Sequence, residues 1–426
     1  MLLFSAFMTV VLGLFGGPLF AVILGLAVLG FLAQEVPLSV LTIEMYRLTD
    51  TGLLAAIPLF TFAGFLLSES NASQRLVRLA QAFVGWMPAG LALVTLVACA
   101  FFTAFTGASG ATIVALGALL YPALRHGHYP KKFSLGLVTS AGSLGLLLPP
   151  SLPLILYGII VQQMDLPVRV SIEQLFVAGI FPTLLMLVLM GGYCVWSARR
   201  HKLTIQKFSG REVWLAMREG AWELPLPFVV LGGIFSGFFA VSEAAAVTVL
   251  YVFVVQVFIY REIPLRQLPK IVVDAMVMVG GIMVVLMAAM ALTNYFVDAM
   301  IPTWLFDLIQ AHVHSKLLFL LLLNVFLLVL GALLDVFSAL IVVVPLIVPV
   351  AISFGIDPVH LGIIFLANLQ IGYLTPPVGM NLFIASYRFR EPVHVLYRAS
   401  WPFMLVLLVA LLVITYWPAL SLVLVR

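Results

Sequence analysis

Long apolar runs broken by short polar segments extend along the whole chain. A helix needs roughly 20 apolar residues to cross the hydrocarbon core of a bilayer. The 426 residues therefore accommodate on the order of a dozen spans or half-spans with short connections, and they leave no room for a soluble domain. The pattern predicts an all-α integral membrane protein surrounded by membrane lipid.

The composition agrees with this pattern and narrows the range of partners. Hydrophobic residues make up 64% of the chain and charged residues 9%, whereas a soluble domain is about half apolar and about a quarter charged. The formal net charge of +4 falls in short loops, as membrane orientation requires, so it predicts no nucleic-acid partner. Cys99 and Cys194 lie inside apolar runs and predict neither a disulfide nor a metal site. The histidines lie in or near loops and are expected to be solvated: His126, His128, His201, His312, His314, His360 and His394.

A basic connector at residues 199–221 divides the chain near its middle. Its basic residues are Arg199, Arg200, Lys202, Lys207, Arg211 and Arg218. The positive-inside rule places this connector in the cytoplasm. Other basic loops occur at residues 75–78, 125–132, 261–270 and 388–398. Threading spans between these loops gives two halves of opposite orientation, residues 1–198 and 222–426.

Two sequence motifs recur across the connector and indicate a duplication. Gly13-Leu-Phe-Gly-Gly17 resembles Gly233-Ile-Phe-Ser-Gly237, and Gly145-Leu-Leu-Leu-Pro149-Pro150 resembles Gly372-Tyr-Leu-Thr-Pro376-Pro377. The Pro-Pro pairs are 376 − 149 = 227 residues apart, and Pro122 and Pro349 keep the same spacing. Because the charge pattern gives the halves opposite orientations, we interpret them as inverted repeats.

Each half is predicted to contain two opening helices, one span, a re-entrant hairpin, a span broken at Pro-Pro and a closing span. The hairpins extend over about residues 88–126 and 316–354, and the broken helices over about residues 133–163 and 360–388. The two hairpins enter the membrane from opposite faces. Inverted repeats with interrupted helices are typical of secondary transporters, which bind substrate near the membrane midplane.

The hairpin tips are the first candidates for a binding site. A turn inside the membrane exposes backbone N–H and C=O groups, so it must be buried in protein or line a polar cavity. The first tip, residues 105–112, combines glycines with hydroxyls; its alternative role is close helix packing by small residues. The second tip, residues 331–338, places Asp335 within an apolar stretch. An intramembrane carboxylate indicates function, and the alternative is a structural hydrogen bond to a nearby helix end.

The Pro-Pro pairs are the second candidates. Two consecutive prolines lack two backbone donors, so they free carbonyls upstream and start a new helix downstream. Carbonyl oxygens suit hard cations, and helix N-termini suit anions. A purely mechanical kink is the common alternative, but breaks at matching repeat positions favour a site.

These motifs together resemble the large membrane subunit of tripartite ATP-independent periplasmic (TRAP) transporters of the dicarboxylate-carrier type. The resemblance covers essentially the whole chain. The matching elements are Gly107 to Gly110, Gly145-x3-Pro-Pro-Ser151 with Tyr157-Gly158, Gly233-Ile-x-Ser-Gly237 with Glu243-Ala-Ala-Ala246, Gly331-x3-Asp335, and Gly372-x2-Thr-Pro-Pro-x-Gly379. One departure is Ala108 before Ser109, where members often carry two adjacent hydroxyls.

The resemblance implies a sodium-coupled importer of an organic acid, such as a C4-dicarboxylate or sialic acid, in the bacterial inner membrane. It implies two partners: a small four-helix membrane subunit and a periplasmic substrate-binding protein. It also implies an elevator-type movement of the hairpins and broken helices against a scaffold. Sodium would serve as the coupling ion, and neither catalysis nor a bound cofactor is expected.

We expect one sodium ion beside each break and the substrate carboxylate between them. The expected ligands of the first ion are Thr106, Gly107, Ser109 and Leu148. The expected ligands of the second ion are Gly331, Asp335, Gly372, Thr375 and Gly379. The residues expected near the substrate are Ser109, Thr112, Pro150, Ser151, Pro377 and Asn381. None of them is a lysine or arginine, so helix N-termini, hydroxyls and the cations would hold the anion.

Two alternatives remain open at this point. A stand-alone dicarboxylate/sodium symporter or sodium/proton antiporter of the same broad fold would work without a binding protein. An intramembrane serine protease is a remote alternative, because Gly107-Ala108-Ser109-Gly110 has the GxSG form. A nucleophilic serine needs a base within hydrogen-bond reach, and the sequence places no histidine deep in an apolar helix.

Overall fold

The computed structural model describes residues 2–14, 17–47, 52–164, 166, 168–199 and 208–425. Throughout these ranges the regular structure is helical, which confirms the predicted all-α class. Two sets of sequence-based expectations lie outside the described residues: positions 15 and 16 of the first repeated motif, and residues 200–207 of the connector, which include His201.

The first half contains eleven described helices and two short 3₁₀ turns, Gly52–Ala55 and Leu144–Leu147. These helices are α1 (Leu2–Leu14), α2 (Leu19–Ala33), α3 (Leu38–Arg47), α4 (Ala56–Glu69), α5 (Ala72–Val84), α6 (Gly90–Thr106), α7 (Ser109–His126), α8 (Lys131–Ala141), α9 (Leu152–Gln162), α10 (Ile172–Ala178) and α11 (Ile180–Ala198).

The second half continues in the same way, with a π-helical segment, Val254–Ile259, directly after α14. Its described helices are α12 (Gly210–Glu219), α13 (Pro225–Phe235), α14 (Val241–Phe253), α15 (Leu268–Asp298), α16 (Ile301–Gln310), α17 (Lys316–Leu333), α18 (Val336–Ser353), α19 (Pro358–Gly372), α20 (Met380–Phe389), α21 (Val393–Tyr416) and α22 (Ala419–Leu422).

Eight described segments are long and apolar enough to cross a membrane. They are Gly52–Glu69, Lys131–Gln162, Ile172–Ala198, Val241–Ile259, Leu268–Asp298, Lys316–Leu333, Val336–Ser353 and Val393–Tyr416. Burial separates them: 94% of the most apolar part of Lys131–Gln162 is buried, against 33% for Leu268–Asp298. The first broken helix is therefore at the centre of the molecule, and α15 lies at its periphery.

A shift of 227 residues relates the helix boundaries of the two halves. The second hairpin helices begin at Ser109 and Val336, and the broken helices begin at Lys131 and Pro358. The prolines of the two breaks have the same spacing, and each pair contains a cis peptide bond. The element order predicted around the breaks is thus present in both halves.

Contacts between the broken helices show their relative direction. Lys131, at the start of α8, forms an ion pair with Glu391, just after the end of α20. Tyr157, in the second half of α9, donates a 2.6 Å hydrogen bond to the carbonyl of Pro358, at the start of α19. The start of each broken helix therefore lies beside the later part of the other, and the two run antiparallel.

The prediction for one histidine is wrong. His360 is only 2% exposed, because Asp357 caps α19 and brings His360 into the first turn of this buried helix. Its Nδ1 lies 3.2 Å from Ser421 Oγ and its Nε2 lies 3.3 Å from the Thr415 carbonyl. His360 is thus held by α21 and α22 and does not contact Ser109.

Short helices at the ends of the spans are the main elements that the sequence analysis did not predict: α3, α5, α10, α12, α16 and α22. They are too short to cross a bilayer. The strongest amphipathic pair, α5 and α12, carries apolar residues on one face and charged residues on the other. Such helices connect spans along the surface of the membrane domain.

Candidate functional site

The first hairpin turns at Gly107 and Ala108, between α6 and α7. Gly107 has a φ of +65°, a conformation that glycine adopts without steric cost. A side-chain carbon at this position would lie 2.7 Å from Leu152 Cδ1, so the tip is pressed against the start of α9. The tip and the segment after the first break are therefore in direct contact.

The predicted hydroxyl ligands of this tip are already hydrogen-bonded. Thr106 donates to the Phe102 carbonyl at 3.0 Å, and Thr112 is 3.3 Å from the Ala108 carbonyl. Both residues are buried. Because a hydroxyl that donates its proton keeps its oxygen lone pairs, the bond fixes the Thr106 hydroxyl and leaves its oxygen able to bind a cation beside the backbone oxygens of the tip.

Thr103 is a site residue that the sequence analysis missed. Its hydroxyl donates to the Gly142 carbonyl at 2.8 Å and lies 2.7 Å from Thr112 Oγ1. This pair of threonines fastens the first hairpin to the end of α8. The available signal was a polar residue one helical turn before Thr106, but its partner, 39 residues away, has no sequence signature.

The first break is buried and tightly packed. A side-chain carbon at Gly145 would lie 2.1 Å from the Ala100 carbonyl, so this turn lies directly on α6. Ser151, which is fully buried, donates to the Leu146 carbonyl across the break. Pro150 is also buried, and Leu148 is half-buried. Ser151 therefore closes the break, and its hydroxyl is hydrogen-bonded to neither Ser109 nor Asn381.

Asp335 caps the second hairpin helix. One carboxylate oxygen accepts from the N–H groups of Phe337 and Ser338 at 3.0 and 3.1 Å, and the other accepts from the Ser338 hydroxyl. Helix capping of this kind is the structural alternative raised for an intramembrane carboxylate. The carboxylate is only half-buried, so capping leaves one side of it accessible.

The second hairpin crosses the second broken helix where two glycines meet. A side-chain carbon at Gly372 would lie 2.6 Å from the backbone of Gly331. The N–H of Gly379, which has a φ of +60°, donates to the Ala332 carbonyl at 3.1 Å. Tyr373, which the sequence analysis missed, accepts the N–H of Val336 at 2.5 Å. Close backbone packing thus positions this tip on its break.

The second break is more open than the first. Pro376, Pro377 and Val378 are exposed, whereas Pro149 and Pro150 are buried. Thr375 donates to the Ile371 carbonyl at 3.1 Å, and the Pro377 carbonyl accepts from Tyr397 at 2.6 Å. The two breaks therefore differ both in polar groups and in access.

Ser109 and Asn381 join the two halves. The Ser109 hydroxyl donates to Asn381 Oδ1 at 2.8 Å, and the residues are 5% and 0% exposed. Asn381 Nδ2 is buried without a hydrogen-bond partner among the described residues. A buried amide that lacks a partner costs free energy unless something else satisfies it. This donor therefore points to an acceptor, such as a ligand oxygen.

The backbone around this contact is electropositive. Ser109 is the first residue of α7, and Asn381 is the second residue of α20. The first N–H groups of a helix have no intrahelical partners, and the helix dipole adds positive potential there. Two helix N-termini therefore converge on the unpartnered amide of Asn381, which is the environment that an anion requires.

A second contact between the halves lies nearby in the broken helices. Ser143 donates to the carbonyl of Gln370 at 3.3 Å, and these two positions are 227 residues apart. The Gln370 side chain donates to Met186, and its Oε1 has no partner in the described part of the chain. Within that part, no group of three or more His, Cys, Asp or Glu residues is placed to hold a metal ion.

In an all-helical membrane protein, two broken helices that meet at a buried polar contact are the arrangement of a membrane transporter. The chain belongs to the tripartite ATP-independent periplasmic transporter family, as its DctM component, with residues 3–420 matched. It is therefore a multi-pass protein of the bacterial inner membrane and a transporter permease, not an enzyme such as the protease alternative. The resemblance found in the sequence is confirmed.

Similar proteins support this assignment. The C4-dicarboxylate TRAP transporter large permease of Rhodobacter capsulatus is 34% identical over 94% of this chain and 93% of its own length. The isethionate TRAP transporter permease of Oleidesulfovibrio alaskensis is 33% identical over 94% of this chain and 62% of its own length. The solved structure of the Alcanivorax borkumensis YdaH transporter has a TM-score of 0.63 and 15% identity, covering 89% of this chain and 87% of that one. This last likeness concerns the fold alone.

Proposed function

We propose that this permease imports a small organic acid and that the contact between Ser109 and Asn381 marks its binding site. The observation that carries the proposal is the buried, unpartnered Nδ2 of Asn381 between two helix N-termini. A substrate carboxylate would accept from this amide and from the N–H groups that begin α7 and α20. Related permeases are named for C4-dicarboxylate and isethionate, both of which are small anions.

Sodium ions beside the breaks would provide the coupling. The hydroxyls of Thr106 and Thr375 donate to carbonyls of their own helices and keep their oxygen lone pairs. They would therefore join backbone oxygens near Gly107 and Leu148 and near Gly372 as ligands. Asp335 would contribute its charge at the second site. A cation next to an anion site strengthens anion binding, so loss of sodium would release the substrate.

An elevator movement is supported by how the hairpins are held. Both hairpins are tied to the second broken helix, the first by the hydrogen bond from Ser109 to Asn381 and the second by the packing of Gly331 on Gly372. These contacts favour movement of the hairpins and broken helices as one body. The surrounding scaffold contacts the first tip through Gly64 of α4, where a side-chain carbon would lie 2.9 Å from Thr106 Cα. A glycine at this contact leaves a smooth surface for sliding.

We further propose that the chain works with a small membrane subunit and a periplasmic binding protein, as the tripartite name of the family indicates. The decisive experiment reconstitutes all three proteins in liposomes and measures uptake of labelled candidate acids with and without an inward sodium gradient. We expect uptake that requires both the gradient and the binding protein.

Two other outcomes of this experiment have defined meanings. Uptake that persists undiminished without a sodium gradient would refute sodium coupling. Sodium-driven uptake without the binding protein would favour the stand-alone symporter. The variant Asn294→Asp is a matched control for Asn381→Asp, because Asn294 lies half-buried in α15, which is neither a hairpin helix nor a broken helix.

A further inference from the structure

The connector helix α12 is held by one face against α5. Ala216 is buried at this contact, and a side-chain carbon at Gly220 would lie 2.6 Å from Leu79 Cδ1. Ser209 caps the helix by accepting the N–H of Glu212. The position of α12 on the surface of the membrane domain is therefore fixed by packing and by a cap.

The acidic residues of α12 lie on this inner side and share one arginine. Arg78 of α5 is hydrogen-bonded to Glu219, and its other terminal nitrogen lies 3.5 Å from Glu212 Oε2. Both carboxylates of the helix thus reach the same guanidinium. The helix carries two acidic and two basic residues; the single charge of Arg78 offsets one of the two negative charges, and both carboxylates are held on the inner side.

The basic residues of α12 lie on its outer side. Arg211, Trp214 and Arg218 are spaced by three and four residues, which places them on one face of a helix. All three are exposed, and Trp214 is 66% exposed. Neither arginine forms an ion pair with another residue in the described part of the chain. The outer face therefore presents two free guanidinium groups with an indole ring between them.

This combination matches the headgroup region of a membrane that contains anionic lipid. Tryptophan is enriched at the membrane–water interface, and basic residues next to it are attracted to anionic headgroups in the cytoplasmic leaflet. Exposed aromatic residues precede and follow α12 in the sequence, Phe208 at 62% and Trp222 at 45% exposure. The preceding sequence adds further positive charge at Arg200, Lys202 and Lys207.

We propose that the outer face of α12, formed by Arg211, Trp214 and Arg218, binds anionic phospholipid headgroups. The two guanidiniums pair with headgroup phosphates while the indole lies among the glycerol groups. Because α12 is tied to α5 and continues into the second half, bound lipid anchors the segment that joins the two halves. The positive charge of the two arginines favours an anionic lipid headgroup over a neutral one.

The test titrates the purified full-length chain in detergent with a fluorescent phosphatidylglycerol. A separate titration uses a phosphatidylcholine with the same fluorescent label and acyl chains. We expect preferential binding of phosphatidylglycerol. The double variant Arg211→Gln/Arg218→Gln should bind it roughly 30-fold more weakly, which is the contribution expected of two basic residues at an anionic surface. The variant Arg211→Lys/Arg218→Lys, which keeps the charge, should retain most of the affinity.

A charge-matched control separates this site from a general effect of positive charge. Arg266→Gln/Lys270→Gln removes two exposed basic residues at the start of α15, one from the preceding turn and one from its first turn, and should leave phosphatidylglycerol affinity within about twofold of wild type. Equal binding of both lipids would overturn the proposal, and so would an equal loss in the control. If the double glutamine variant does not fold, Arg218→Gln alone should weaken binding roughly fivefold, and unchanged binding would count against the site.

A protein partner on this face is also distinguishable. If Arg211→Gln/Arg218→Gln binds phosphatidylglycerol normally but no longer co-purifies with the small membrane subunit, the face is a protein interface. That result would overturn the lipid proposal.

Discussion

Ser109 and Asn381 are 272 positions apart in the sequence, yet their side chains share a 2.8 Å hydrogen bond between the first hairpin and the second broken helix. The serine uses its only proton in this bond and accepts no other described donor. The Nδ2 of Asn381 remains free to donate to a ligand. This division of roles makes the asparagine the more informative position to change.

Asn381→Ala should raise the KM for substrate roughly tenfold or more, because a hydrogen bond to a charged group contributes about 1.5–3 kcal/mol. Asn381→Asp should abolish measurable uptake, since it places a second negative charge beside the anion. Initial rates in proteoliposomes would check both changes. An unchanged KM in Asn381→Ala, with Asn294→Asp also unchanged, would contradict the assigned site.

Asp335 can be tested for two roles at once. Asp335→Ala removes the cap and should lower the free energy of unfolding by about 1 kcal/mol, whereas Asp335→Asn keeps a capping side chain and should cost little. If the carboxylate also binds sodium, Asp335→Asn should raise the sodium concentration needed for half-maximal uptake. Wild-type sodium dependence in Asp335→Asn would reduce Asp335 to a capping residue.

The crossing of Gly331 and Gly372 should tolerate no side chain. Gly372→Ala places a carbon 2.6 Å from the backbone of Gly331, and overpacking of this kind costs about 1–3 kcal/mol or more. We expect a clearly lower thermal unfolding midpoint. Gly280→Ala in α15 is the matched control, because no described atom outside its own helix backbone lies within 4 Å of the added carbon. Equal midpoints for the two variants would show that the hairpin adjusts.

The ion pair between Arg75 and Glu262 gives a prediction for pH. Burial raises the pKa of Glu262. Hydrogen bonds from Arg75 and from the Asn71 N–H together lower it by a larger amount, so the pKa lies below the ordinary 4.5. A lowered pKa stabilises the fold above pH 4.5, and this contribution disappears as the pH falls through the lowered value. Glu223, also bound to Arg75, and Tyr260, which stacks on Arg75, face the same group.

The comparison of wild type with Glu262→Gln measures this contribution. The difference in unfolding midpoint should be constant between pH 5 and 7 and should shrink below the ordinary pKa of 4.5. A difference that is the same at every pH would mean that the carboxylate charge contributes nothing. Arg266→Gln, in the loop that follows Glu262, controls for loss of a nearby charge.

The sequence predicted the fold class and the elements around the site because membrane spans and proline breaks have strong local signatures. Apolar runs of span length identify helices, and Pro149-Pro150 and Pro376-Pro377 cannot continue one. Ser109 and Asn381 were both predicted near the substrate, and the structure brings them together. Ser151 was predicted beside them, but it closes its own break instead.

The remaining features depend on contacts that no local pattern encodes. Thr103 acquires its role from a carbonyl at Gly142, and Tyr373 from an N–H at Val336. The short helices α5 and α12 were missed because they lie between spans and are stabilised by each other through Arg78 and Leu79. His360 was misplaced because the cap at Asp357 extends a buried helix into what the sequence showed as a loop.

The hydrogen bond from Ser143 to Gln370 has a consequence for how the site could have evolved. The two positions are 227 residues apart, the spacing that also separates the two Pro-Pro breaks. Under the duplication that we propose for the two halves, each copy of the ancestral unit touches its own counterpart here, and one substitution in a symmetric ancestor would have changed both partners together. Fusion into a single gene would then let serine and glutamine differ and give a ligand at the junction two chemically distinct sides.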